Sequence, residues 1–338
     1  MKTILLIFVA AICTVQICLS QARLGSYQWK VVLKVVDDDG KPVEAAQASV
    51  EYGSPKEGGN PDPFQPNNWA VAGLTDANGS FTASHKDWAY GLGIQVQKAG
   101  YYPTLISYTL FIPGQFDDNK VETNRNPTLI VPLKKRGAPI PMYARKAKLE
   151  IPEVDKPIGF DLVQYDWVAP YGKGKQSDFI FQAQRRFVKR NDFDSSLKIT
   201  FPNQSDGLHP IAISKFIPQM GAVADGELRV SAIAPTNGYI SELLKTVSIT
   251  PSGRKNDEDD NQDYYFRVRT AQDENGTITN ALYGKIYGDF TTDVINSKSM
   301  KIYFTYYLNP ESNSRNTEFD PKRNLFGKLS SLEQIYAP

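Results

Sequence analysis

The chain is nearly free of cysteine. Of its 338 residues only Cys13 and Cys18 are cysteines, and both fall within the first 22. It has two histidines, His85 and His209. Each shortage excludes a chemistry. With no cysteine after position 18 there is no thiol nucleophile, no thiolate zinc site and no disulfide framework in the body of the chain. Neither an H-E-x-x-H zinc motif nor a G-x-S-x-G nucleophile turn is present. Lys plus Arg number 38 against 37 Asp plus Glu, a net charge of +1, so no basic field draws nucleic acid or anionic lipid. After residue 22 no run of about 18 apolar residues occurs, which predicts no membrane-spanning helix.

What is present is aromatic. Eighteen Tyr and 17 Phe favour strands over helices, and 41% hydrophobic content suffices to bury a core. The length predicts about two domains. Met1 to Ala22 reads as a secretory signal: Lys2, then an apolar run from Ile4 to Ile12, then small residues permitting cleavage after Ser20 or Ala22. Ile12 and Ile17 precede the two cysteines, where a lipidation site needs a small residue. The mature chain is therefore expected in the periplasm or outside the cell, free of cysteine and held by its core and sheets.

The clearest strand pattern lies between Asp263 and Pro310. Tyr264, Phe266, Val268 and Thr270 alternate with Tyr265, Arg267 and Arg269, the period of a strand with two different faces. Asp273-Glu274-Asn275-Gly276 predicts a hairpin, and Lys301 to Leu308 a further strand. Toward the start, strands are expected at 27–36, 48–52, 71–75, 80–83, 91–98, 104–112 and 127–133. Asp37-Asp38-Asp39-Gly40 and Asp76-Ala77-Asn78-Gly79 turn the chain, and long loops fall at 53–68 and 113–126.

These turn motifs carry a resemblance. Asp37, Gly40, Pro42, Val43 and Ala46, then Thr75, Asp76, Gly79 and Phe81, then Lys98, Gly100 and Tyr101 resemble, in order, the pattern of the carboxypeptidase regulatory-like domain. The likeness covers roughly residues 25–136. It implies a transthyretin-like, Ig-like β-sandwich with an accessory, sometimes glycan-contacting role and no peptidase activity. The strings from Phe160, Ala281 and Phe304 onward resemble secreted bacterial proteins that join this domain to a second one, a likeness that implies architecture alone.

The expected organisation is a signal peptide at 1–22, a sandwich at 23–136, a proline-rich linker at 137–158, and a second antiparallel sandwich or jelly roll at 159–338. Pro139, Pro141, Pro152 and Pro157 punctuate the linker, and its Arg145, Lys146 and Lys148 read as solvated rather than as an anion site. In the second domain strands are expected at 160–168, 178–188, 197–201, 211–214, 227–234 and 246–250. A helical turn is expected at 240–245 and an acidic loop at 254–263.

Four motifs invite a functional reading. Gly172-Lys173-Gly174-Lys175-Gln176-Ser177 lacks phosphate-loop spacing and reads as a basic turn. The acidic run 256–263 starts like a calcium loop but has Gln262 where the turn needs Gly, and Val268 where a bidentate Glu belongs. His85 and His209 read as loop residues rather than a catalytic pair. Trp29, Trp88 and Trp167 read chiefly as core. Trp69 and Trp88, with Tyr101 and Tyr102, are the candidates for ligand contact, because aromatic faces at sandwich loops stack on sugars. No cofactor and no metal are expected. The reading is an all-β, non-catalytic binding or assembly module whose partner is an envelope protein or a glycan. A carbohydrate-binding accessory protein is the first alternative. A carboxylate-based glycoside hydrolase, which needs only two acids, is the second.

Overall fold

A computed structural model describes residues 28–53, 70–86, 91–109, 126–212, 216–217, 222–259, 262–294 and 300–338. The signal at 1–22, Trp69, Trp88 and most of both long loops lie outside these. The chain divides into two compact units, Met1–Lys135 with Ser214–Glu227, and Arg136–Ile213 with Leu228–Pro338. It is all-β, built of antiparallel sheets with one parallel strand pair among the described residues.

The first unit opens with β1 (Gln28–Val36), β2 (Gln47–Gly53), β3 (Ala70–Leu74), β4 (Ser80–Lys86), β5 (Gly91–Gln97), β6 (Thr104–Thr109) and β7 (Thr128–Pro132). In β1 the alternation places Trp29, Val31, Leu33 and Val35 inward and Lys30 and Lys34 outward. This strand pairs antiparallel with β4 and parallel with β7. The other sheet runs β6-β5-β2-β3, and Val50, Ile94, Val96 and Ile106 meet β1 in a largely aliphatic core.

The turns follow one local rule. Asp37 Oδ1 accepts from the N–H groups of Asp39 and Lys41, and Asp76 Oδ1 from those of Asn78 and Ser80. Asp273 Oδ1 does the same for Asn275 and Thr277. The glycine three residues on has positive φ each time, at 75°, 67° and 78°. At Gly79 a Cβ would also lie 2.3 Å from the Val35 carbonyl oxygen.

The second unit begins with β8 (Tyr143–Glu150), β9 (Pro157–Asp161), β10 (Asp166–Trp167), β11 (Phe179–Lys189), β12 (Asp192–Thr200) and β13 (Gly207–Ala212). The chain then supplies β14 (Phe216–Ile217) and β15 (Ala222–Gly226) to the first unit, where β15 pairs with β6. The second unit resumes with β16 (Glu242–Thr250), β17 (Gly253–Asn256), β18 (Gln262–Gln272), β19 (Ile278–Asp293) and β20 (Lys301–Leu308). Its sheets run β10-β9-β11-β12-β16-β17 and β13-β18-β19-β20-β8. Between them lies an aromatic core: the Phe179 ring lies 5.3–6.2 Å from those of Phe181, Phe201, Phe266, Phe290 and Phe304.

Several expectations need correction. The stretch 137–158 is not all linker, because β8 occupies its middle and pairs along its length with β20. Its prolines only flank the strand, and Ala147, Leu149 and Ile151 alternate into the core between charged neighbours. The second unit is not continuous from 159, since 214–227 belongs to the first. Residues 227–234 form no strand: Ala234 N–H donates to the Arg315 carbonyl, and the Ala232 carbonyl accepts from Thr317. No helical turn occurs at 240–245, where β16 pairs with β12 instead, and β17 takes the start of the acidic loop.

Candidate functional site

The five-stranded sheet of the second unit has two unlike faces. Its inner face gives Phe266, Val268, Ile286, Phe290, Ile302 and Phe304 to the core. Its outer face carries Tyr265, Tyr283, Tyr287, Tyr303 and Tyr307, set there by the same period of two. Part of that face is roofed. Val230, Ala234, Phe319 and Ile335 pack on Tyr265, Tyr283, Tyr287 and Tyr307.

Under the roof lies Lys285, with no solvent exposure. Its ammonium donates to the Tyr287 hydroxyl at 2.9 Å and sits 4.6 and 4.8 Å from the centres of the Tyr287 and Tyr307 rings. Burial lowers the amine to about 7, against the pull of Glu318 and Asp263.

Beyond the roof the face opens into a groove of about 750 Å³. Cross-strand register arranges it in two rows. Lys148 of β8 stands opposite Tyr303 of β20, which stands opposite Thr291 of β19. One step along, Lys146 faces Thr305 and Thr305 faces Tyr287. Both lysines are exposed, and the Lys148 ammonium lies 5.9 Å from the centre of the Tyr303 ring. Ser330, Leu332 and Glu333 form one wall.

The outer edge of β8 is already engaged. The Lys146 N–H donates to the Glu333 carbonyl at 2.9 Å, and the Lys148 N–H to the Tyr165 hydroxyl at 3.0 Å. The Glu333 carboxylate takes hydrogen bonds from Ser330 and Arg145, which hold it below its ordinary range. Asp289, also at the groove, accepts from Lys245 at 2.5 Å and from the Tyr264 hydroxyl at 2.8 Å. Both carboxylates are thus matched by cations of their own. Among the described residues neither Lys146 nor Lys148 is paired with a carboxylate.

The other buried carboxylates hold loops. Asp161 accepts from the N–H groups of Val163, Gln164, Lys175 and Gln176, and with Asp178 it binds Arg269. Burial pushes Asp161 up, but its backbone donors and Arg269 outweigh that and hold it below its ordinary value. At Asp178 burial wins, and the carboxyl is raised despite Arg269. The basic turn 172–177 is tied down by these bonds and by Lys173 N–H to Asp166. In the acidic run, Glu258 accepts from Thr292, Asp257 pairs with Lys255, and Asp263 binds Arg229.

The residues singled out from the sequence do not gather at this groove. Trp69 and Trp88 lie outside the described residues. Tyr101 is half-buried against the first unit's core, with the Lys98 ammonium 5.9 Å from its ring centre. Tyr102 is only 3% exposed, so its ring offers no stacking surface. Trp29 and Trp167 are buried. The histidines are strand residues rather than loop residues. His85 on β4 stacks on Tyr52 at 4.6 Å, and His209 on β13 has Nδ1 3.0 Å from the Asn237 carbonyl oxygen. Lys146 and Lys148, read from the sequence as solvated linker charges, instead stand on a strand beside Tyr303, Thr305 and Thr291, which the sequence did not single out. The signal for that strand was the alternation Lys146-Ala147-Lys148-Leu149-Glu150-Ile151, a pattern lying between prolines.

No protein-family model matches the chain, and no curated protein matches it in sequence. Among solved structures it is similar to the catechol 1,2-dioxygenase of Acinetobacter radioresistens, at 17% identity over 33% of this chain and 53% of that one, with a TM-score of 0.24. It is similar also to the 3-chlorocatechol 1,2-dioxygenase of Rhodococcus opacus 1CP, at 17% identity, 33% and 62% coverage, and a TM-score of 0.24. The shaft pilin SpaA of Lactobacillus rhamnosus GG matches at 11% identity over 82% of this chain and 93% of that one, with a TM-score of 0.23. The chain spans little more than half of the dioxygenases, and TM-scores this low fall short of a shared fold.

Proposed function

We propose that this chain works by contact: an exported binding or assembly module that uses the open half of the tyrosine face of its second unit. The observation that carries the reading is the groove itself, where cross-strand register lines up two exposed ammonium groups, a tyrosine and two threonines on a rigid sheet. The internal use of the carboxylates supports it, since Asp161, Asp178, Asp263 and Asp289 are each hydrogen-bonded to backbone or to a cation. The likeness of the first unit's turns to a carboxypeptidase regulatory-like domain implies the same accessory role. The signal-like residues at 1–22 support work outside the cytoplasm.

Retention on washed cell envelope tests it. The wild-type protein is expected to sediment with the envelope, and the double variant Lys146→Glu, Lys148→Glu to be released several-fold. Equal retention of the two rules out this surface. Turnover of a glycoside or ester by the purified protein, lost on replacing one carboxylate, rules out the contact reading.

A further inference from the structure

We infer that the groove takes an acidic carbohydrate, with the carboxylates of its sugars on Lys146 and Lys148; this rests on the contact reading above. Four observations carry it. The first is charge. The two lysines stand on one face of β8 two residues apart, their backbone positions about 7 Å from each other by strand geometry. Of the two carboxylates among the lining residues, Glu333 is already matched by Arg145, and Asp289, whose side chain is buried, by Lys245. What the groove offers a ligand is therefore positive.

The second is the rest of the lining. Each lysine leads across the strands to hydroxyl-bearing side chains at the groove, Lys148 to Tyr303 and Thr291 and Lys146 to Thr305, whereas the hydroxyl of Tyr287, next across, is buried and taken by Lys285, Arg229 and Pro338. The Ser330 hydroxyl at the wall donates to the Glu333 carboxylate and leaves only its acceptor side to a ligand. Tyr165, Tyr287, Tyr303 and Phe304 also line the groove, and rings beside hydroxyls and ammonium groups suit a ligand with apolar ring faces as well as hydroxyls and charge. A sugar acid offers hydroxyls to the threonines and an apolar ring face to the tyrosine.

The third is the strand edge. A peptide is most simply held by adding a strand to a free edge. Beside the groove the N–H groups of Lys146 and Lys148 are already donated to Glu333 and Tyr165, so strand addition there would have to break both bonds. The fourth is size. About 750 Å³ is the volume of a site for a compact ligand, room for a short stretch of sugar units.

The test is titration calorimetry with the mature full-length protein. The probes are an oligogalacturonate, its methyl-esterified form with the same linkage and no charge, and an oligoglutamate of matched charge. The oligogalacturonate is expected to bind, more weakly as salt rises, and the ester to bind at least tenfold more weakly. Lys146→Ala with Lys148→Ala is expected to lose about tenfold in affinity, the scale of two exposed charge contacts, and the Lys→Arg pair to keep most of it. Tyr303→Ala is expected to weaken the oligogalacturonate more than the oligoglutamate, which separates ring stacking from charge alone. Circular dichroism of each variant checks folding. No binding of the oligogalacturonate, equal binding of the ester, or full affinity in the double lysine variant overturns the inference. Lysine-dependent binding of oligoglutamate alone overturns the carbohydrate assignment and leaves the contact reading standing. Shortening of the oligogalacturonate on incubation, seen by mass, overturns the contact reading.

Discussion

The two units are both β-sandwiches and they are built from different material. In the first, Trp29 and Tyr52 are the aromatic members of the fully buried cluster, and the rest is Val, Leu, Ile and Ala. Among the described residues Asp37 is its one buried charge. The second unit packs ring on ring and also buries Asp161, Asp178, Lys245, Asp263, Arg267, Lys285 and Asp289. A sandwich core needs only alternation, and the first unit stops there. Lys245, Asp263, Arg267 and Lys285 sit within regular pairing, but two charged groups mark places where strands leave it. Arg269, with φ of 57°, marks the bulge in β18 and is gripped by Asp178 and Asp161. Asp289 lies in the irregularity of β19 between Tyr287 and Thr291, beside the groove. Bulges re-aim side chains, and here buried charge anchors them. The difference teaches which unit carries a built surface.

Core substitutions sharpen the contrast most. Phe179→Ala removes a ring that contacts five others and is expected to cost about 3–5 kcal/mol, whereas Ile94→Val in the first unit costs about 1 kcal/mol. Urea unfolding followed by hydrogen exchange assigns each loss to its unit, and equal losses would erase the distinction. Next comes charge. Asp178→Ala strips the main partner of a largely buried guanidinium, at about 2–4 kcal/mol, while Asp76→Ala removes only an exposed turn bond at about 1 kcal/mol. Similar midpoint shifts in the two variants would break the comparison.

Lys285 gives the second unit a pH signature that the first lacks among its described residues. Its folded pKa is depressed to about 7 from an ordinary lysine value near 10.5. Between those values the unfolded chain holds the extra proton, so stability rises with pH across the window, by up to about 1.4 kcal/mol per unit. The contribution is complete above the unfolded value and lost as pH falls toward 7. In Lys285→Met that slope is expected to vanish and stability near pH 7 to rise, read from urea midpoints between pH 7 and 10. An unchanged slope would mean that Glu318 and Asp263 keep the amine charged. The smallest effect is at the surface. Tyr303→Ala should change stability by no more than about 0.5 kcal/mol, since the ring lines an open groove.

Local rules made much of this legible in the sequence. Asp37, Asp76 and Asp273 each announce a turn because the side chain, the two N–H groups and the glycine all lie within five residues. The faces of β18 follow from alternation as far as Val268. Past it the pattern fails, because the bulge at Arg269 depends on Asp161 and Asp178, about 100 residues earlier in the chain. β8 was hidden by the prolines around it, although Ala147, Leu149 and Ile151 alternate with charge. The return of 222–226 to the first unit had no local sign, since its pairing partner, Thr104–Tyr108, lies more than 100 residues away. The candidate site went unread for the same reason. Lys148, Tyr303 and Thr291 become neighbours only through register between strands of which the first had been taken for linker.

Amine labelling tests the central claim most directly. Purified protein and protein bound to intact envelope are acetylated briefly, and each lysine is quantified by mass spectrometry. Lys41 and Lys255, exposed and not among the residues that line the groove, serve as internal references. The account predicts that Lys146 and Lys148 label like the references in the purified protein and are protected several-fold on the envelope. Undiminished labelling of both on the envelope, with protection elsewhere, would contradict it.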